Sequence, residues 1–451
     1  MLTLERLEQL VEAGDIDTVI MAQIDMQGRM MGKRFHAQHF LEAGVHETHS
    51  CNYLLTVDME MEPVPGFKSA SWEQGYGDYM MKPDLATLRR IPWQEGAALV
   101  ICDTLDHHGD HEIAASPRAI LKRQIARAAE MGFQPMMASE LEFDLFSDSY
   151  EGAHRNGYRG LTPVSPYNED YHLFQTTKEE NVMRAVRNGL FGAGVPVENS
   201  KGEAWAGQEE INVRYADALT AADNHTITKT GVKEIAWGQG QAVTFMAKYD
   251  DDAAGSSCHI HQSLWSGDTA AFLDRDAAHG MSQTMRHYLA GLLAHAGDVT
   301  AFLAPNINSY KRYVAQTFAP TRAVWSRDNR TAGFRLVGEG TKATRIENRI
   351  GGADLNPYLA FAGQIAAGLA GIEQKLELEP EFTGDAYTAE GLRRIPATLR
   401  QAADTMERSD MLRAAMGDGV VDHYVHAARW EQQEYDRRVT DWDLFRGFER
   451  S

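Results

Sequence analysis

Ser139-Glu140-Leu141-Glu142-Phe143-Asp144-Leu145-Phe146 is the stretch on which the reading of this chain turns. Successive side chains of a strand point to opposite faces, so Glu140, Glu142 and Asp144 share one side, with Leu141, Phe143 and Leu145 on the other. The apolar side requires a packed layer behind it. The acidic side gathers three carboxylates, which a solvated edge tolerates and a buried surface holds only with counter-charges. Three further segments carry charge in the same way. Cys258–Gln262 sets His259 and His261 on one face. Arg345–Arg349 sets Arg345, Glu347 and Arg349 together, with Ile346 opposite. Val197–Tyr215 carries Glu198, Glu203 and Glu210 around a Gly207-Gln208 turn.

Taken singly, each segment is an ordinary solvated strand or a structural histidine pair. Together they supply several carboxylates with one or two imidazoles, a donor set suited to Mg2+ or Mn2+ more than to a soft metal. Arginines add to the pattern: Lys311-Arg312 after Asn308-Ser309-Tyr310, then Arg327, Arg330 and Arg335. Arginine binds phosphate and carboxylate bidentately, so the substrate is expected to be polyanionic. Paired divalent ions beside arginines suit phosphoryl transfer, where charge spreads over phosphate oxygens. No P-loop or dinucleotide glycine motif is present, so a nucleotide must be held by another scaffold.

Outward from these segments the chain reads as α+β with an antiparallel sheet, because strands and helices are interspersed without regular βαβ spacing. Its 451 residues exceed one ordinary core, and two domains are expected, 1–107 and 108–451. In the first, Met1–Gly14 is a short amphipathic helix, Thr18–Met26 and the run to Phe35 form a hairpin about Gln27-Gly28, His46–Pro83 is a polar loop, and Ala97–Asp103 is a buried strand. Asp106–Glu112 is the linker. In the second, Ser116 caps a helix with Pro117 at its first position and Gly132 after its last turn. Thr177 and Glu180 suggest a capping box for a helix ending near Gly194. Further helices are expected over Ala216–Trp237, Met281–Gly297, Pro357–Gln374 and Val420–Arg437.

Composition narrows the function. A net charge of −20 argues against nucleic acid, which needs a basic footprint. No apolar run approaches the roughly 20 residues needed to cross a bilayer, and no signal peptide is read at the start. Cys51, Cys102 and Cys258 match no zinc spacing and cannot all pair, which points to a reducing cytoplasm.

The segments SPRAILKR, SELEFDLF, GEAWAGQEEINVRY, SCHIHQSLW, NSYKR, DNRTAGFR and RIENRIGGADLNPYLA resemble, in order and along nearly the whole chain, the signatures of the glutamine synthetase family. The resemblance implies a small N-terminal β-grasp domain, a catalytic domain with a curved antiparallel sheet flanked by helices, and a homo-oligomeric ring, usually a dodecamer of two stacked hexamers with sites between neighbours. It implies ATP and glutamate as substrates and two or three Mg2+ or Mn2+ ions. Glu142, Glu203 and Glu210 match ligands of a first metal at the glutamate end; Glu140, His259 and Glu347 match ligands of a second at the ATP phosphates. Arg312 and Arg349 match the arginines that hold glutamate, with Gly255 beside it, and Arg330 and Arg335 those at the transferring phosphoryl group. Glu198, Tyr215, His261, Ser263, Lys342 and Arg345 fall on nucleotide-contacting positions. The implied chemistry is γ-glutamyl phosphate formation followed by attack of an amine.

Departures from the family pattern carry the specificity. Ammonia-using members have a glutamate before an Ala-Pro pair in the flap after NSYKR; here VAQTFAP places Phe318 there, and an apolar ring neither attracts NH4+ nor takes its proton. The family's Phe-Asp-Gly-Ser-Ser segment is replaced by His49-Ser50-Cys51-Asn52-Tyr53-Leu54, with Cys51 or Asn52 in place of the aspartate. Ala254 stands where an asparagine often precedes the glutamate-contacting glycine. Loss of both acids removes the attraction for a small cation. The chain therefore resembles the γ-glutamyl-amine ligase branch, nearest the ethanolamine and aniline types, with an organic primary amine as acceptor in amine catabolism or detoxification. The alternatives are an ammonia-using synthetase with another base, and a non-catalytic nitrogen-metabolism sensor or scaffold. Tyr387 lies near a tyrosine that some bacterial members adenylylate, but its flanks differ, and it is read as structural.

Overall fold

The structure is a computed structural model that describes residues 1–451. Two sheets organise it. The first joins β1 (Thr18–Ile24), β2 (Met30–His36), β3 (Thr48–Cys51), β4 (Asp78–Pro83), β5 (Arg89–Arg90) and β6 (Ala97–Leu105) in the order β2-β1-β6-β4-β3, with β5 on β6. The second joins β7 (Gln134–Phe146), β8 (Val197–Gly202), β9 (Gln208–Val213), β10 (Ala216–Asp217), β11 (Ala242–Thr244), β12 (Cys258–Ser266), β13 (Thr269–Ala270), β14 (Trp325–Arg327), β15 (Phe334–Val337) and β16 (Arg345–Asn348). Its main path runs β14-β15-β16-β12-β7-β9-β8.

The expected hairpin, the buried strand and the helix after Pro117 all form, the last as Pro117–Glu130. Pairing in the second sheet is antiparallel except for β14 with β15, and β1 pairs in parallel with β6. The polar stretch His46–Pro83 is not all loop: its two ends pair as β3 and β4, and the residues between them close the excursion. No capping box forms at Thr177. Its hydroxyl instead bonds back to the Leu173 carbonyl at 2.7 Å, ending a short turn of helix, so the next helix begins at Glu180. Asp217, not Ala216, starts the next long helix, capping Ala218–Gly238 through Thr220 N. The segment from Met281 divides into Gln283–Ala294 and Ala296–Leu303, because His295 leaves helical geometry and bonds Asp298 at 2.9 Å. Pro357–Glu373 and Asp418–Asp436 fall within a residue or two of expectation.

The apolar face of β7 is buried as foreseen, with Leu141, Phe143 and Leu145 at most 2% exposed. Helices Pro117–Glu130, Ala218–Gly238 and the almost wholly buried Pro357–Glu373 pack into this same core. No helix is long and apolar enough to cross a membrane.

Arg118 joins the two sheets' layers. Its guanidinium is buried and binds Asp84 at 2.7 Å, Asp103 at close range and Asp223 at 3.2 Å. Tyr358 donates to the other Asp223 oxygen at 2.6 Å. Removing the cation strands Asp223 in the core, and breaking a buried pair costs about 3–5 kcal/mol. Arg118→Met is expected to lower unfolding stability by about 3 kcal/mol in urea titrations, with part of the loss recovered in the Arg118→Met, Asp223→Asn double variant. An unchanged urea midpoint would show that the network holds nothing together.

Candidate active site

The charged faces of the four segments meet on one side of the second sheet because their registers align. Glu140 lies opposite His259, Glu142 opposite Glu210, His261 opposite Glu347, and Glu347 opposite Arg335. Strand pairing thus converts a period of two in sequence into two acidic groups in space.

The first group is Glu142, Glu203 and Glu210, with one oxygen from each within 4.8 Å of the others. Glu142 and Glu210 are 7% and 4% exposed. Ser257 N donates to Glu142 at 2.7 Å, and the Ser257 hydroxyl donates to its other oxygen. Burial and the neighbouring carboxylates push Glu142 up, and Glu210 up to about 9. Lys201, which sequence reasoning did not single out, places its ammonium on Glu203 and feels the charge of Glu210. It sits opposite Glu210 in the β8–β9 register, a signal present only once the pairing is known. An all-oxygen trio of acids whose charge is uncompensated except by one ammonium fits a hard divalent ion.

The second group is Glu140, His261 and Glu347. His259 belongs to it as well, its Nδ1 lying 3.1 Å from Glu140 and 3.5 Å from Glu347. Arg345 Nε donates to His261 Nδ1 at 3.0 Å, and His261 Nε2 lies 2.7 Å from Glu140. Burial raises Glu140, but the two histidines outweigh it and hold the carboxyl far below its usual range. Glu347 is buried too, yet His259 and Arg349 bring it down to about 2. Arg349 and Arg335 donate to its two oxygens at 2.6 and 2.9 Å.

Arg312 is 2% exposed and donates to the carbonyls of Arg349 and Gly351 at 2.9 and 2.8 Å. Its Nε and Nη1, like Arg349 Nε, are buried without a partner, as they would be beside a carboxylate the chain itself does not supply. Gly255 makes room for it: a Cβ there would lie 2.4 Å from Arg312 Cγ. Arg330 and Lys342 are exposed. A cavity of about 580 Å³ opens beside the second acidic group, and Glu198, Tyr215, His261, Ser263, Lys342 and Arg345 all line it.

Phe318 is 58% exposed with φ +60°, a strained conformation for a bulky residue. Tyr387 links its loop to the arginines: the hydroxyl lies near the Phe318 backbone and within the field of Arg349 and Arg312. This oxygen is buried without a hydrogen bond. His49–Leu54 lies at the end of the N-terminal sheet, and no hydrogen bond or ion pair connects it to either acidic group of the same chain.

The model of the glutamine synthetase catalytic domain matches residues 114–446. The gamma-glutamylethanolamide synthetase of Streptomyces coelicolor is 49% identical over 450 residues, covering 100% of this chain and 96% of that one. The glutamate–isopropylamine ligase of a Pseudomonas species is 36% identical over 445 residues, covering 98% and 97%. A solved structure described as a GmaS/ADP complex superposes with a TM-score of 0.85 at 25% identity, over 98% of this chain and 99% of that one. The chain belongs to the glutamine synthetase family. Enzymes of this family use ATP and divalent metal ions.

The pKa pattern sets a pH dependence for the metal-free protein. Glu210 and Asp144, the latter raised to about 7 chiefly by burial, hold protons when folded that they release when unfolded. The folded state then binds more protons between the ordinary carboxylate range and pH 9, so stability falls as pH rises through that window. Urea midpoints in EDTA are expected to drop from pH 6 to pH 8.5, and saturating Mg2+ or Mn2+ to flatten the trend. A midpoint that rises with pH in EDTA would refute it.

Proposed function

We propose that the protein ligates the γ-carboxylate of glutamate to an organic primary amine at the expense of ATP, acting as an acid–amine ligase. The observation that carries this reading is Phe318 in a flap position where a carboxylate would serve ammonium. The relatives named for ethanolamide and isopropylamine products support it. We assign ATP to the 580 Å³ cavity, with Tyr215 beside the base and Arg345 and Lys342 toward the phosphates. Glutamate lies with its carboxylates on the free N–H groups of Arg312 and Arg349.

Glu142, Glu203 and Glu210 would hold one divalent ion and Glu140, His259, His261 and Glu347 a second, and such ions draw charge from the phosphates and the acyl group. Arg335, braced by Glu347 at 2.9 Å, is directed at the transferring phosphoryl group together with the exposed Arg330. A γ-carboxylate oxygen attacks the terminal phosphorus and ADP departs, leaving γ-glutamyl phosphate. The neutral amine then adds to the acyl carbon, loses a proton, and expels phosphate. Only the neutral amine has the lone pair, and an apolar flap favours that form and its carbon substituent over NH4+.

We further take residues 1–107 as the N-terminal unit and 108–451 as the catalytic unit; their sheets share no strand. The His49–Leu54 segment then acts on the site of a neighbouring subunit in a dodecamer, in the cytoplasm. Light scattering is expected to return twelve chains, and a fully active monomer would overturn the assembly.

The acceptor is tested by ADP release from glutamate and ATP with ammonium, ethanolamine, isopropylamine and aniline. An organic amine is expected to exceed ammonium in kcat/KM, and the reverse order would make the protein an ammonia-using synthetase. ATP binding without phosphate release for any amine would favour a sensor. Phe318→Glu is expected to lower organic-amine kcat/KM about tenfold or more and raise ammonium use, the scale of a mispositioned acid–base group. An unmoved ratio would remove Phe318 from acceptor choice.

A further inference from the structure

Behind the inner face of the second sheet lies a third acidic group that the proposed reaction leaves unused. Glu169, Glu179 and Glu209 each bring a carboxylate oxygen within 4.8 Å of the others, and they are 0%, 3% and 1% exposed. They come from three separate pieces of chain. Glu209 is next to Glu210 on β9 and so faces the opposite side of the sheet. Glu179 precedes helix Glu180–Gly192 yet makes no capping bond, so its oxygens are not spent on the helix. Glu169 belongs to the loop that presses on β8: a Cβ at Gly202 would come within 2.7 Å of Glu169 Cγ.

An independent observation shows what this group lacks. Both oxygens of Glu169, both of Glu179 and one of Glu209 are buried without any hydrogen-bond partner. Lys201, the cation whose charge reaches Glu209, is occupied by Glu203 and by Asp170 at 3.6 Å. Three carboxylates brought this close in the interior, with no donor to their outer oxygens, need either shared protons or a cation to stay together. Either protons are trapped between them or a cation satisfies them. A trapped proton satisfies one oxygen pair, whereas a single ion takes an oxygen from each of the three residues at once.

We propose that Glu169, Glu179 and Glu209 bind a hard divalent cation at a site separate from the reaction centre. Oxygens around Mg2+ or Ca2+, at about 2.0–2.6 Å from the ion, lie no more than about 4–5 Å apart, which accommodates the spacing found here. The ion ties the 163–179 loop and the following helix to the β8–β9 hairpin. That hairpin and its turn carry Glu203 and Glu210, so the site braces the first acidic group from behind.

The test uses the full-length protein, stripped of metal and reloaded in turn with Mn2+, Mg2+ or Ca2+. Bound ions per chain are counted by mass spectrometry of the metal after gel filtration. Glu179→Gln and Glu209→Gln are each expected to retain one ion fewer per chain than wild type and to show a smaller rise in Tm on metal addition. Equal stoichiometry and equal Tm rise would mean that trapped protons occupy the group, overturning the proposal. Wild-type crystals soaked in Mn2+ provide a check that does not depend on the variants folding: an anomalous peak is expected among the three carboxylates, and its absence would equally refute the site. Neither readout involves turnover, so the acceptor reading can fail while this one holds.

Discussion

Three carboxylates on one face of β7 are the constraint around which the molecule is arranged. Leu141, Phe143 and Leu145 bind that strand to the core, so its acidic face cannot turn to solvent without exposing the apolar one. Two unit charges about 5 Å apart repel by roughly 3 kcal/mol at an effective dielectric near 20. The neighbouring strands answer this repulsion differently along β7. At Glu140 they supply His259, His261 and the arginine-braced Glu347, and the acids there are held ionised. At Glu142 they supply more carboxylates, and the acids there are driven toward the protonated form.

That asymmetry follows from register and not from composition. A one-residue slip of β12 or β9 would send the histidines and Glu210 to the opposite face. The buried contacts that prevent slippage are therefore part of the site. Gln262 donates to Gln364, Tyr288 donates to Gln262, and Asn348 donates to Gln364, pinning β12 and β16 to helix Pro357–Glu373 on the side away from the acids. Arg312 plays the matching part for the loops, since its two bonds to the carbonyls of Arg349 and Gly351 fix where its remaining N–H groups aim.

Much of this was legible in the sequence, for a physical reason. The period of two in 139–146 reveals both the strand and its acidic face, and Ser116-Pro117 marks where the helix starts, although the Ser116 side chain makes no capping bond. What local sequence could not supply was pairing. Lys201 becomes relevant only opposite Glu210, and β3 and β4 emerge from an apparent loop only because they meet each other. Thr177 misled because a threonine hydroxyl bonds equally well forward as a cap or backward to a carbonyl, and tertiary packing chose the latter. Tyr387 reads as structural along the chain; its buried, unpartnered hydroxyl within the field of Arg349 and Arg312 is visible only in space.

The same distinction bears on specificity. Glu140, Glu142, Glu210, His259, His261 and Glu347 sit on strands and Arg312 on a buried anchor, where register and packing hold them. Phe318 sits on a loop, at φ +60°, with its ring largely exposed in the single chain. A bulky side chain in the left-handed region persists only when its surroundings over-determine it. Within one chain the Tyr387 hydroxyl lies near its backbone without bonding it, and the ring is left uncovered. In the oligomer proposed above, the wall that encloses an amine against that ring is the His49–Leu54 segment of a neighbouring subunit, held in place by the pairing of β3 with β4. On the proposed reading, the strands set what reaction is performed, while the exposed flap and the subunit beside it set which amine completes it.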